Sequence, residues 1–280
     1  MFSTIFNFEI TRWLRNPVFY VYCVLFFAIS VFSTMSSLGA FDGVTVTTSS
    51  PTYVNSPINI AGFLNAFSTL VYFLLPTIIG ASVFPDHQYQ VHQVMFSYPL
   101  TKSAYLGARF LSSLLITLLI PVACMLGFFV GQYMPNVNKD LLGPNNILAY
   151  LQAFSVLIIP NMVLFGLMVF AVVNYSRNIY VGFIFVLLLF VLQTVLDNMT
   201  RNMDNLYTVA LLDPFGFNPI SYYSKYWSVE EQNTRFLPIS GVLLYNRLIW
   251  LGVAAVIGTL VYRAFNFSHL SHQIGRRKSG

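Results

Sequence analysis

The run IYVGFIFVLLLFVLQTVL, Ile179 to Leu196, passes eighteen residues without a charge. As a helix rising 1.5 Å per residue it reaches about 27 Å, close to the bilayer's hydrocarbon thickness of roughly 30 Å. Similar apolar stretches recur at Val18–Leu38, Ile58–Phe84, Tyr105–Met134, Ile147–Tyr175 and Val242–Phe265. Six membrane spans follow. Composition agrees: 56% of the 280 residues are hydrophobic and 8% charged, against about 25% charged in a soluble domain. The expected fold is therefore all-α, a six-helix membrane domain over residues 17–265. The two cysteines, Cys23 and Cys124, each sit inside an apolar run and read as small hydrophobes, implying neither a disulfide nor a metal.

Charge sets the orientation, because lysine and arginine are retained on the cytoplasmic side. With the N-terminus inside, the inner segments hold nine basic side chains (Arg12, Arg15, Lys102, Arg109, Arg177, Arg263, Arg276, Arg277, Lys278) against Glu9 and Asp86. The outer segments hold five (Lys139, Arg201, Lys225, Arg235, Arg247) against seven acidic ones. Both termini are expected in the cytoplasm, and residues 266–280 form a basic inner tail. The net charge of +5 is this asymmetry and gives no reason to expect nucleic-acid binding. Arg12 and Arg15 before an apolar run ending in SSLGA imitate a signal peptide, but the run exceeds the roughly 7–15 residues of such a segment, so it reads as an anchor.

Residues 1–16 place Phe2, Ile5, Phe6, Ile10 and Trp13 on one helical face and Thr4, Asn7, Thr11 and Arg15 on the other. That is the pattern of a helix lying in the membrane surface, and Pro17 begins a new helix into the bilayer. Glu9 falls on the apolar side, between Ile5 and Phe2, where a carboxylate needs a partner. Two are open to it: a local pair with Arg12 three residues on, or a contact with a neighbouring subunit or the second inner loop. Glu9, Arg12, Trp13 and Arg15 are the candidate residues of this helix.

The second inner loop, 85–103, contains DHQYQVHQVMFSYP. Asp86 after Pro85 suits an N-cap and Pro99 a stop, which predicts a short cytoplasmic helix. Val91, Val94, Met95 and Tyr98 form an apolar stripe for the protein's own bundle. Asp86, Gln88, Tyr89, His92, Gln93 and Phe96 offer aromatic and hydrogen-bonding groups to a partner, as a helix laid into a groove does. His87 and His92 are five residues apart, not the four that place two ligands on one face, and no third ligand joins them, so no metal is expected. The outer segment 198–241 carries Tyr222, Tyr223, Tyr226 and Trp227, which fit an aromatic belt at the headgroups or a cap over a substrate. Within the spans, Asn65, Tyr72, Asn161 and Gln193 are candidates to line a path, with interhelical packing as the plainer role. Asn161, beside Pro160 at mid-span, leads because its amide must find a partner in hydrocarbon.

An amphipathic helix ending in RNP, six spans, and an inner loop of the form D…PLTKSAYLGARF together resemble an ABC transporter type-2 permease. The stretches YLQAFSVLIIPNMVLFGLMVFAV, LLDPFGFNPI and YWSVEEQNTRFLPISGVLLYNRLIW are similar, in that order, to the N-terminal membrane half of permeases that end in a zinc aminopeptidase. The resemblance covers nearly the whole chain. It implies an exporter subunit in a bacterial-type inner membrane, a coupling helix at Asp86–Phe96 that docks on an ATPase, and a third span opening with Lys102, Tyr105, Gly107 and Arg109. It also implies a second permease half, either another copy or a paired chain. Neither that second half nor H-E-x-x-H is present in these 280 residues, so peptidase activity does not carry over. A half-transporter and one half of a larger permease–peptidase both remain open.

An intramembrane enzyme or an ion-coupled carrier would place ionisable groups at depth, and the span centres hold no Asp, Glu, Lys, Arg or His. No G-x-x-x-x-G-K-[ST] occurs either, so ATP is expected on a partner subunit and no cofactor on this chain. The remaining rival is a membrane scaffold that transports nothing.

Overall fold

A computed structural model describes residues 2–41, 52–88, 101–200 and 205–265, and every regular element among them is helical. In chain order these are α1 (Phe2–Leu14), α2 (Pro17–Ser37), α3 (Pro57–Val71), α4 (Leu75–Gln88), α5 (Lys102–Gly131), α6 (Ile147–Ala153), α7 (Ile159–Ser176), α8 (Ile179–Thr200), α9 (Leu206–Leu212), α10 (Phe217–Ser224), α11 (Val229–Thr234) and α12 (Gly241–Ala264). Six of the resulting rods are long and apolar enough to cross a membrane: Pro17–Ser37, Pro57–Ser82, Lys102–Gly131, Ile147–Ser176, Ile179–Leu196 and Gly241–Ala264. The chain is an all-α, multi-pass membrane protein.

Prolines shape the rods. Asn16 accepts from the Val18 amide at 3.0 Å and Pro17 occupies the first turn, so the chain breaks between α1 and α2. Pro76 has no N–H to continue the ladder, and the second span tightens into a 3₁₀ turn at Tyr72–Leu74 before α4. Ahead of Pro160 the fourth span widens into a π turn at Phe154–Ile158.

The third span, α5, lies at the centre. Its packing with the first span rests on small residues: a Cβ on Gly127 would come within 2.5 Å of the Phe27 carbonyl oxygen, and one on Gly131 within 2.8 Å of Thr34 Cβ. Gly127 and Gly131 are four apart and face Ser30 and Thr34, also four apart, which is how membrane helices bring their backbones together. The Ser30 hydroxyl donates to the Cys124 carbonyl at 2.7 Å across this seam. Ile116, Ile120, Phe128, Leu157, Phe165 and Val169 fill the bundle. The first, fifth and sixth spans turn Val24, Phe32, Leu187, Leu188, Val256 and Leu260 outward, surfaces suited to hydrocarbon.

The start of the third span and the end of the sixth meet at one pole, here called the near pole, where α1 also lies. Lys102 donates to the Arg263 carbonyl at 3.4 Å and sits 4.8 Å from the centre of the Tyr262 ring. At the far pole Asn55 ties two loops together, donating to the Gly143 carbonyl at 2.8 Å and accepting from the Gly143 amide at 2.7 Å.

The expected helix start at Pro85 and Asp86 is corrected: α4 runs unbroken through both to Gln88. Proline is tolerated there for a reason visible one turn back. Its missing N–H frees the Ala81 carbonyl, and the Arg12 guanidinium donates to that oxygen at 2.7 Å. The side chains of Asp86 and Gln88, and all of Tyr89, His92, Gln93 and Phe96, lie outside the described residues, as do the tail 266–280 and the first outer loop 42–51.

Candidate functional site

Two polar constellations stand out in the apolar bundle. The first belongs to α1 at the near pole. Glu9 is fully buried and bridges two arginines, Arg12 at 2.7 Å and Arg109 of the third span. The local pair with Arg12 therefore exists. A second, long-range contact joins it, made within this chain by Arg109, about two turns into α5.

Trp13 is buried on the same helix, whereas Arg15 is exposed. The apolar face of α1 is therefore divided between the protein and its surroundings. The side carrying Glu9 and Trp13 is buried in the protein, and Phe8 is left outward. With Arg12 on the Ala81 carbonyl, α1 holds the end of the second span and the start of the third, the two helices that flank the inner loop.

The second constellation lies deeper. The turn Asp213–Gly216, between α9 and α10, enters the bundle from the far pole. Its Phe215 carbonyl accepts from Asn161 at 2.8 Å and from Asn65 at 3.1 Å, and Asn161 also donates to Asn65 Oδ1 at 3.2 Å. The Phe215 ring lies 4.7 Å from that of Phe165, 5.7 Å from Phe190 and 6.0 Å from Tyr72, centre to centre. Arg247 of the sixth span donates to Asn161 Oδ1 at 2.5 Å and, through Nε, to Asn246 Oδ1 at 2.9 Å. Asn246 in turn donates to the carbonyls of Ala210 and Asp213, both at 2.8 Å, and of Leu211 at 3.0 Å. Gln193 reaches Asp213 Oδ1 at 3.4 Å.

Asp213 shapes the turn: its carboxylate accepts from the amides of Phe215 at 2.8 Å and Asn218 at 2.7 Å. Burial raises its pKa, while the backbone N–H groups of Asn218, Phe215 and Gly216 and the charge of Arg247 oppose that rise. Gly216 has φ +86°, and a Cβ there would stand 2.6 Å from an Arg247 terminal nitrogen, so only glycine allows the guanidinium so close.

Asn65, Tyr72, Asn161 and Gln193 thus converge on one turn, all of them buried. Sequence reasoning does not single out their partners Arg247, Asp213, Asn246 and Phe215. It counts Arg247 with the outer segment, whereas the residue lies on the sixth span, off its centre, and its guanidinium meets Asn161 near the middle of the fourth. The signals are present: an arginine inside an apolar run and the turn-forming Asp-Pro and Phe-Gly pairs of LLDPFGFNPI. No protein-family model matches the chain, and no curated protein matches it.

Proposed function

We propose that this chain is the membrane subunit of an ATP-driven permease of the ABC type-2 kind, an exporter paired with a second permease half and driven by a separate ATPase. One observation supports the reading above others: α1 is fastened to both helices that flank the 85–103 loop, to the third span by the buried Glu9–Arg109 pair and to the second by the partly exposed Arg12 on the Ala81 carbonyl. Force delivered at that loop would move the second and third spans together with α1, which suits a coupling segment. ATP belongs to the partner, and the near pole is the cytoplasmic one.

The test pairs two substitutions in the loop. Phe96→Asp is expected to leave the protein assembled but to abolish co-purification of the ATPase, whereas Met95→Asp is expected to lower thermal stability by placing a charge on the apolar stripe that the sequence assigns to the bundle. Full ATPase binding and transport by an assembled Phe96→Asp protein would refute the coupling role. Binding without any stimulation of ATP hydrolysis in the reconstituted complex would instead favour a scaffold.

Orientation is tested separately. Single cysteines replacing Ser221, which is exposed, and Ser279 should differ in intact cells, an impermeant reagent labelling only the first. Labelling of the second would place the termini outside.

A further inference from the structure

We propose that α9, α10 and the turn between them form a releasable plug in the far half of the bundle, with the Phe215 ring as stopper and Arg247 as catch. The two helices span Leu206–Leu212 and Phe217–Ser224, each far below the length at which an isolated helix holds itself together. Their hold on the bundle is aromatic at the Phe215 ring and polar around it. Asn65, Asn161 and Asn246 grip backbone carbonyls of the plug, and Arg247 aligns two of those three amides through their oxygens.

The seat explains why release is feasible. Withdrawing a cap from a purely apolar socket would wet hydrocarbon surface. Withdrawing this one exposes the Phe165 and Phe190 rings but also uncovers Asn65, Asn161, Gln193 and Arg247, whose donors water can satisfy. The Tyr72 hydroxyl faces Ser68 and Asn161 but makes no hydrogen bond of normal geometry, and it adds another buried group that water would serve. Among the described residues nothing of this chain covers the outward side of the plug at Tyr207, Leu212 and Ser221, which are exposed. This inference does not depend on the permease reading, and its test needs no ATPase.

The experiment uses the full chain in lipid nanodiscs with Cys23→Ala and Cys124→Ala and a reporter Ser68→Cys. Ser68 is buried one turn from Asn65 and donates to its carbonyl at 2.7 Å. A charged methanethiosulfonate should label it slowly in this background. Arg247→Met, which keeps length but no longer aligns the Asn161 and Asn246 amides that grip the plug, should speed labelling about threefold, the worth of one weakened grip at the strength such bonds show in membrane proteins, with Arg247→Lys between the two. Equal rates in folded Arg247→Met and its parent would overturn the proposal. Should Arg247→Met fail to fold, hydrogen exchange on the unmodified protein decides. Amides of α9 and α10 are expected to open together well before those of α5, and exchange only with global unfolding would overturn the plug.

Discussion

Replacing Arg109 by methionine is expected to lower the unfolding free energy by about 3–5 kcal/mol, the range found when one partner of a buried ion pair is removed. Among the described residues Glu9 would then keep Arg12, whose side chain is one-third exposed, as a counter-charge. Glu9→Leu should cost a similar amount, because Arg109 is buried and this change removes the Glu9 carboxylate paired with it. The double variant is the informative one. With both charges absent the desolvation penalty disappears as well, and an apolar pair of similar volume is often neutral, so most of the loss should be recovered. Denaturant titration of the four proteins gives the coupling directly. Single variants that each cost less than about 1 kcal/mol, as exposed pairs do, would mean that α1 is not fastened by this cluster.

A comparable loss, about 3 kcal/mol, is expected from Gly127→Val, at the upper end for overpacking a close contact. The new side chain would meet the Phe27 carbonyl oxygen at 2.5 Å and Ser30 Cβ at 2.9 Å, and backbone cannot move aside as a flexible side chain can. The first span must back away from the third, breaking the bond from Ser30 to the Cys124 carbonyl. Gly252→Val is the control, because a Cβ at Gly252 meets nothing within 4 Å. Equal unfolding midpoints for the two variants would show that the seam between these spans is not close-packed.

The positions of the spans are legible because hydropathy adds along the chain. The fourth and fifth rods begin at their expected residues, Ile147 and Ile179, and the other four within about three residues of theirs, inside the usual uncertainty of helix ends. The amphipathic pattern of residues 2–14 likewise announces α1. Glu9 stands out as needing a partner, but the only partner its sequence neighbourhood names is Arg12, three residues away. Arg109, a hundred residues on, is visible as a charge and not as the answer.

The six apolar rods, the helix ahead of them and the polar residues buried within them can all be read from the chain, because each follows from a local run and its cost in hydrocarbon. The pairing of those polar residues comes from the packing of the rods. Asn65 and Phe215 are 150 residues apart, and Arg247 and Asn161 are 86 apart. Whether they meet depends on which face each helix turns inward, and so on the bends at Pro76 and Pro160 and the close seam at Gly127. A polar group in a span must find a partner, but only the packing of the rods selects which one.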